Sequence, residues 1–186
     1  MDISVDIIKQ AFEGDIDAFE QIYKANSSFV YNVALKITRN CTDAEEVTQD
    51  VFMKVYHNLK YFQFRSAFKT WLYRVTVNMA INHYRKSIRE TKDRVDYDSV
   101  IASVPAGQST VEPVVQDDNE AMLNKLLGML SLEYKVCLIL REIRGLSYKE
   151  ISAVLKIPVN TVRSRIKRAR ESLLGNARKG LIKDAL

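Results

Sequence analysis

Apolar side chains recur at three- and four-residue spacing along most of this chain, the period that gathers them on one face of an α-helix. No alternation of apolar and polar residues runs long enough to build a sheet, so the sequence predicts an all-α fold. The breaks in the period then set its divisions. Ile7, Ile8 and Phe12 fit a short first helix ended by Gly14. Phe19, Ile22 and Tyr23, followed by Val30, Val33, Ala34 and Ile37, make one face of a longer helix. Thr42 with Glu45 three residues on reads as a capping box, opening a helix that turns Val47, Val51, Phe52 and Val55 inward. A short loop spans Tyr61 to Ser66. Ser66 can cap a further helix from about Phe68 to Arg89, packed through Trp71, Leu72, Val75, Met79 and Tyr84.

From Thr91 to Asp118 the period stops. This stretch holds Pro105, Gly107, Pro113 and an acidic run, the composition of a linker. Met122, Leu123, Leu126, Leu127 and Leu130 then resume a helix. Ser131 can cap the next, which buries Val136, Leu138, Ile139, Leu140 and Ile143 and stops at Gly145. The expected organisation is two small helical domains, residues 1–91 and 120–186, joined by an acidic flexible linker over 92–119.

Charge follows the same divisions. The net charge of +5 is a weak signal, but its distribution is informative. Residues 1–61 carry net −4, residues 62–92 net +6, residues 93–119 net −5 and residues 120–186 net +8. Two basic blocks separated by an acidic one point to two polyanion contacts rather than one diffuse basic surface. No stretch approaches the ~20 apolar residues of a membrane span. The segment from Met1 to Asp17 has four aspartates and a glutamate and does not resemble a secretory signal, so a cytoplasmic location is expected. Cys41, Cys137, His57 and His83 have no metal-ligand spacing, and the two cysteines read as reduced, packed thiols.

The segment Leu146 to Arg170 carries the most information. Ser147 and Glu150 form a capping box, and Ile151, Val154 and Leu155 give the helix it opens an apolar face. Lys156-Ile157-Pro158 interrupts that helix, because proline disfavours helical geometry in the residue before it. Asn160 or Thr161 can cap a second helix, completing a helix-turn-helix unit. With about 100° per residue and Val162 at 0°, Ile166 falls near 40°, Ala169 near −20° and Leu173 near 20°. Arg163, Ser164, Lys167, Arg168 and Glu171 fall on the outer side, flanked by Arg165 and Arg170. Guanidinium forks there suit guanine edges in a major groove, and hydroxyls and amines suit bases or phosphates. A basic run alone is most often a solvated face; the capped helix and turn before it favour DNA reading.

The other basic block interleaves aromatics with cations, from Tyr61 through Phe64, Arg65, Lys69 and Arg74 to Asn78. Rings that stack on bases beside cations that hold phosphates suit single-stranded nucleic acid, and the Asn78 amide can read a base edge. Phe62, Phe64, Phe68 and Trp71 can instead be core, the better reading for Phe68 and Trp71, whereas Arg65, Lys69, Arg74, Arg85 and Lys86 are expected to be exposed. The helix after Thr42 has an acidic, amide-bearing outer side of Asp43, Glu46, Gln49 and Asp50. It fits either a solvated face or a basic protein partner.

These segments resemble a known family. Asp43-Ala-Glu-Glu-Val-Thr-Gln-Asp-Val-Phe52 is similar to region two-point-two of bacterial RNA polymerase sigma factors. Phe68-Lys-Thr-Trp-Leu-Tyr-Arg-Val-Thr-Val-Asn78 resembles the regions that melt and read the minus-ten element. Leu146 to Ile151 with Ile157 to Arg170 resembles region four, which reads the minus-thirty-five element. Order and content match the extracytoplasmic-function subfamily of the sigma-70 family, which lacks regions one and three. The resemblance implies that Glu46, Gln49 and Asp50 meet the clamp coiled coil of core RNA polymerase. It implies that Tyr61, Phe64, Arg65, Ser66, Lys69, Arg74 and Asn78 serve minus-ten DNA. Asn160, Thr161, Arg163, Ser164, Lys167 and Arg168 would serve minus-thirty-five DNA. It further implies an anti-sigma partner, often membrane-anchored, and no cofactor, metal, small-molecule substrate or catalytic residue. Two positions depart from the pattern: Asn160 and Lys156 each stand where the family commonly has Gly. Asn tolerates capping and left-handed geometry, and a positive backbone angle at Lys156 costs about 1 kcal/mol.

Other functions fit less of the chain. A stand-alone helix-turn-helix regulator accounts for the carboxy-terminal half and leaves the aromatic-basic loop and acidic helix unused. A nucleic-acid enzyme needs an acid pair, a nucleophile-base pair or a metal set, and no such grouping stands out in the sequence. A helical adaptor using its basic faces on acidic proteins is the least specific alternative.

Overall fold

The computed structural model describes residues 3–98 and 125–183, and among these all regular structure is helical. Helix α1 spans Val5–Phe12 and is capped by Ser4, whose hydroxyl accepts from the Ile7 amide at 3.3 Å. Gly14 follows at a φ of 100°, where side chains are strained. Helix α2 spans Ile16–Thr38; the Asp15 carboxylate accepts from the Asp17 and Ala18 amides at 2.8 and 3.1 Å. Helix α3 spans Cys41–Leu59 and α4 spans Phe68–Asp98.

Three expected boundaries shift. Asn40, not Thr42, caps α3: its amide oxygen accepts from the Asp43 N–H at 3.0 Å. Thr42 thereby becomes a first-turn residue, since asparagine tolerates the break after the left-handed Arg39 and caps as well as threonine. At α4, Phe68 opens the helix and the Trp71 amide donates to the Ala67 carbonyl, so Ala67 rather than Ser66 stands at the boundary. Helix α4 also continues to Asp98, past the expected end near Arg89. Polar residues without apolar period still form helix when no glycine or proline intervenes. Residues 92–98 of the expected linker are therefore helical. The rest of the linker and the expected helical residues Met122 and Leu123 lie outside the described residues.

In the second half, residues 125–128 are helical, α5 spans Leu132–Arg144, α6 spans Tyr148–Leu155 and α7 spans Val159–Lys183. Ser131 occupies the cap of α5 without a side-chain cap bond, and Gly145 ends it in the left-handed region. The Ile143 side chain lies outside the described residues.

The periodic residues are buried as expected. Ile22, Val30, Val33 and Ile37 of α2 pack with Val47, Val51 and Val55 of α3 and Leu72 and Val77 of α4. Tyr23 departs from that face and stays exposed. Val136, Ile139 and Leu140 of α5, with Ile151, Val154, Val162 and Ile166, continue that same core, while Leu127, Leu130, Leu138 and Ala169 form a small separate cluster. Each such aliphatic side chain contributes about 1.5–3 kcal/mol relative to exposure.

The two halves meet at a seam, where α6 packs on α4 and α5 on α2. Arg74 on α4 donates from Nη2 to the Ala153 carbonyl on α6 at 2.8 Å. Lys135 on α5 is 1% exposed, with its Nζ 4.9 Å from the Tyr84 ring centroid. Gly128 lies so close to the Arg39 guanidinium that a Cβ there would overlap it.

Candidate nucleic-acid interface

Helices α6 and α7 form the expected helix-turn-helix. The capping box is complete: the Glu150 amide donates to Ser147 Oγ at 3.2 Å, and the Ser147 amide donates to the Glu150 carboxylate at 2.7 Å. These bonds hold the Glu150 carboxyl below its ordinary range. Lys156 ends α6 at a φ of 54°, the left-handed geometry expected there. Ser152 Oγ donates to the Ile157 carbonyl and braces the turn.

The second helix opens earlier than expected. It begins at Val159, and the Pro158 carbonyl accepts from the Val162 amide at 3.1 Å. Pro158 thus stands at the entry to the helix, where its fixed φ suits the turn, and Asn160 and Thr161 fall inside the helix instead of capping it. Both lie in the first turn. Past that point the helical angles hold: Val162, Ile166 and Ala169 are buried and Leu173 is half-buried. Arg163, Ser164, Lys167, Arg168 and Glu171 are exposed together. Several of these have local partners. Arg163 Nη1 donates to Asn160 Oδ1 at 3.2 Å, Ser164 Oγ to the Thr161 carbonyl at 3.0 Å, and Arg168 Nη1 to Tyr134 Oη at 3.4 Å. Lys167 lies 3.8 Å from Glu171. The flanking arginines have partners of their own: the exposed Arg170 pairs with Glu142 at 2.8 Å, and the half-buried Arg165 meets the buried Cys137 thiol. Burial pushes that thiol up despite the nearby guanidinium, which keeps it a packed, unreactive group.

The aromatic-basic block divides in two. Phe62 and Phe68 are buried and Trp71 half-buried, with Phe62 5.3 Å from Trp71 and 5.8 Å from Phe68 between centroids. They are core. Tyr61 is 67% exposed and Phe64 44% exposed; Phe64 sits at a φ of 52°, with its ring 4.8 Å from Phe62 and 6.2 Å from Phe12. Arg65, Ser66, Lys69 and Asn78 are exposed around them, as are Arg85 and Lys86. Arg74 departs from expectation. It is half-buried in the seam, and its Nε–H is buried without a partner. Periodicity on α4 identifies its own helix faces; it carries no signal that α6 would cover one of them.

On α3, Glu46, Gln49 and Asp50 are exposed, whereas Asp43 is half-buried. His83 of α4 lies between two of the carboxylates, with Nε2 3.3 Å from Glu46 and Nδ1, which has no hydrogen-bond partner, 3.8 Å from Asp43. Beside Gln49 runs a groove of about 370 Å³ between α2 and α3, walled by Phe19, Tyr23, Phe52, Met53 and Tyr56. Met53 is 60% exposed. Sequence reasoning from charge missed this apolar strip; its signal was the spacing of Phe52, Met53 and Tyr56 three, four and seven residues after Gln49, on adjoining helix faces. Among the described residues no group of three His, Cys, Asp or Glu side chains could hold a metal ion, and no helix is long and apolar enough to cross a membrane.

Comparison with known proteins agrees with this layout. The family model for Sigma-70 region 2 matches residues 22–90, and that for Sigma-70, region 4 matches residues 120–173. The RNA polymerase sigma-H factor of Pseudomonas aeruginosa is 32% identical over 90% of this chain and 90% of its own. The ECF RNA polymerase sigma factor SigW of Bacillus subtilis is 31% identical over 89% of this chain and 92% of its own. The solved sigma factor RpoE of Bartonella quintana, in complex with the anti-sigma factor NepR, is similar at a TM-score of 0.65 and 28% identity. That similarity covers 85% of this chain and 95% of that one. Two matched regions in the expected order, on an all-helical fold, place this chain in the extracytoplasmic-function group of the sigma-70 family of RNA polymerase sigma factors.

Proposed function

We propose that this sigma factor acts in the cytoplasm, without catalysis of its own, by carrying core RNA polymerase to promoters through three separate surfaces. Glu46, Gln49 and Asp50, with the apolar strip of Tyr23, Met53 and Tyr56, meet the polymerase. Tyr61, Phe64, Arg65, Ser66, Lys69, Arg74 and Asn78, in a domain of residues 1–91, hold and read minus-ten DNA. Asn160, Thr161, Arg163, Ser164, Lys167 and Arg168, in a domain of residues 120–186, read the minus-thirty-five element. An anti-sigma factor holds the protein inactive, a partner class that the Bartonella quintana relative is named as binding. The observation that carries the reading is the division of α7 into a buried apolar side and an exposed side bearing Arg163, Ser164, Lys167 and Arg168.

Arg74 adds a condition. It is half-buried in the seam, with Nη2 given to the Ala153 carbonyl and Nε buried, so turning its guanidinium onto a phosphate requires the seam to open. The orphaned Nε–H makes that exchange cheaper, because the closed form leaves part of the group unsatisfied. Run-off transcription with core polymerase across a fragment library tests the proposal. Discrete start sites that share two spaced upstream elements are expected; polymerase that initiates no differently with or without the chain contradicts it.

A further inference from the structure

We propose that Asn160 and Tyr134 are specificity-determining positioning residues, which aim the guanidinium groups of Arg163 and Arg168 before DNA arrives. The inference rests on the reading that α7 enters the upstream major groove. Four arginines stand on the first half of α7, and the structure treats them in two ways. Arg165 is turned toward Cys137, and Arg170 gives Nη2 to Glu142 at 2.8 Å. Arg163 and Arg168 each form a hydrogen bond through Nη1, to Asn160 Oδ1 at 3.2 Å and to Tyr134 Oη at 3.4 Å.

The choice of nitrogen matters. Nε–H and the neighbouring Nη2–H form one edge of the guanidinium, two parallel donors that match the O6 and N7 acceptors of guanine. A bond through Nη1 fixes the plane of the group and leaves that edge open. A bond through Nη2, as at Arg170, commits a nitrogen common to both donor pairs of the group. Arg163 and Arg168 are therefore the two arginines of this stretch whose base-reading edge is both oriented and free. An unrestrained arginine must give up its rotamer freedom on binding, and it reaches a phosphate as readily as a base.

The anchors differ in firmness. Tyr134 lies on α5, half-buried against the cluster of Leu127, Leu130, Leu138 and Ala169, so its hydroxyl is held by packing. Asn160 is exposed, and the helix backbone alone sets its distance from Arg163, one turn away. Tyr134 stands on α5 rather than on the outer face of α7 and meets Arg168 through its hydroxyl, which separates positioning from direct reading. Arg170, with its Nη2 given to Glu142, is left to phosphate contacts or to bracing α5 against α7.

The test uses the full chain assembled with core polymerase, and selection of active promoters from a library randomised in the upstream element. In Asn160→Gly and in Tyr134→Phe, base preference at one upstream position each is expected to weaken about three- to tenfold, with neighbouring positions keeping theirs. Asn160→Asp keeps an acceptor and should restore the preference. Arg163→Ala and Arg168→Ala should abolish preference at the same two positions. Unchanged preferences in Asn160→Gly and Tyr134→Phe, alongside losses in the two arginine variants, overturn the positioning role and leave groove reading intact. A uniform drop at every position would mean a merely structural effect and also overturns it. If the arginine variants too keep every preference, the groove assignment itself fails and takes this inference with it.

Discussion

Arg74 and Ala153, on α4 and α6, are joined by a hydrogen bond of 2.8 Å that links the two halves of the molecule. The donor is one of the residues proposed for minus-ten DNA and the acceptor is a main-chain carbonyl of the helix-turn-helix, so one bond couples the two proposed DNA-reading surfaces. Arg74→Ala removes it. A charged donor to a carbonyl is worth about 1.5–3 kcal/mol when buried, and this half-exposed one is expected near 1 kcal/mol. Amide hydrogen exchange should accelerate across α6 in the free variant while α2 and α3 keep their protection. Unaltered exchange in α6 would show that the contact does not hold the seam.

Lys135 gives the seam a pH dependence. Burial, with the Arg39 guanidinium as a second cause, lowers its pKa to about 8 from an ordinary 10.5. The opened or unfolded chain therefore binds the extra proton between those values, and stability from this group rises as pH climbs from about 8 toward 10. Lys135→Met fills the same space without the charge. Its thermal midpoint should exceed that of the wild type at pH 7, and the gap should narrow as pH rises. A gap that stays constant from pH 7 to 10 would count against a charge-strained seam.

Phe64 holds its exposed ring at a φ of 52°, which costs a bulky residue about 1–2 kcal/mol. Phe64→Gly should relieve that strain and leave stability equal to or above the wild type, despite losing contact with Phe62 and Phe12. Affinity for a single-stranded minus-ten oligonucleotide in the assembled holoenzyme should fall by about 1–3 kcal/mol, the worth of one stacked base. Lost stability with retained oligonucleotide binding would make Phe64 a core residue only.

The box of Ser147 and Glu150 fixes the start of α6. Ser147→Ala should cost about 0.5–2 kcal/mol in urea unfolding at neutral pH. The Glu150 carboxyl is held below its ordinary 4.5, so its contribution is present above that value and lost as pH falls through the lower folded-state value. The gap between Ser147→Ala and wild type should therefore shrink on acidification below pH 4. A gap unchanged at low pH would mean that the carboxylate plays no part.

Much of this was legible in the sequence because helix period and capping chemistry are local. Val162, Ile166 and Ala169 fell inward by angle alone, and the Ser147–Glu150 pair is written in residues three apart. Exact helix starts were less legible, since Asn40 and Thr42, or Pro158 and Asn160, satisfy similar end-group demands within two positions. Contacts across the chain left no periodic trace. The burial of Arg74, the caging of Lys135 by Tyr84 and the apolar strip beside Gln49 each depend on which helix lies opposite. The roles of Tyr134 and Asn160 depend further on single side-chain distances.

The most direct measurement is binding of the purified chain to core RNA polymerase stripped of its own specificity subunit. A one-to-one complex is expected, and Glu46→Lys with Asp50→Lys should weaken it at least tenfold, corresponding to about 1.4 kcal/mol or more. The absence of any complex with the unaltered chain would contradict the account at its root, whatever affinity α7 shows for duplex DNA.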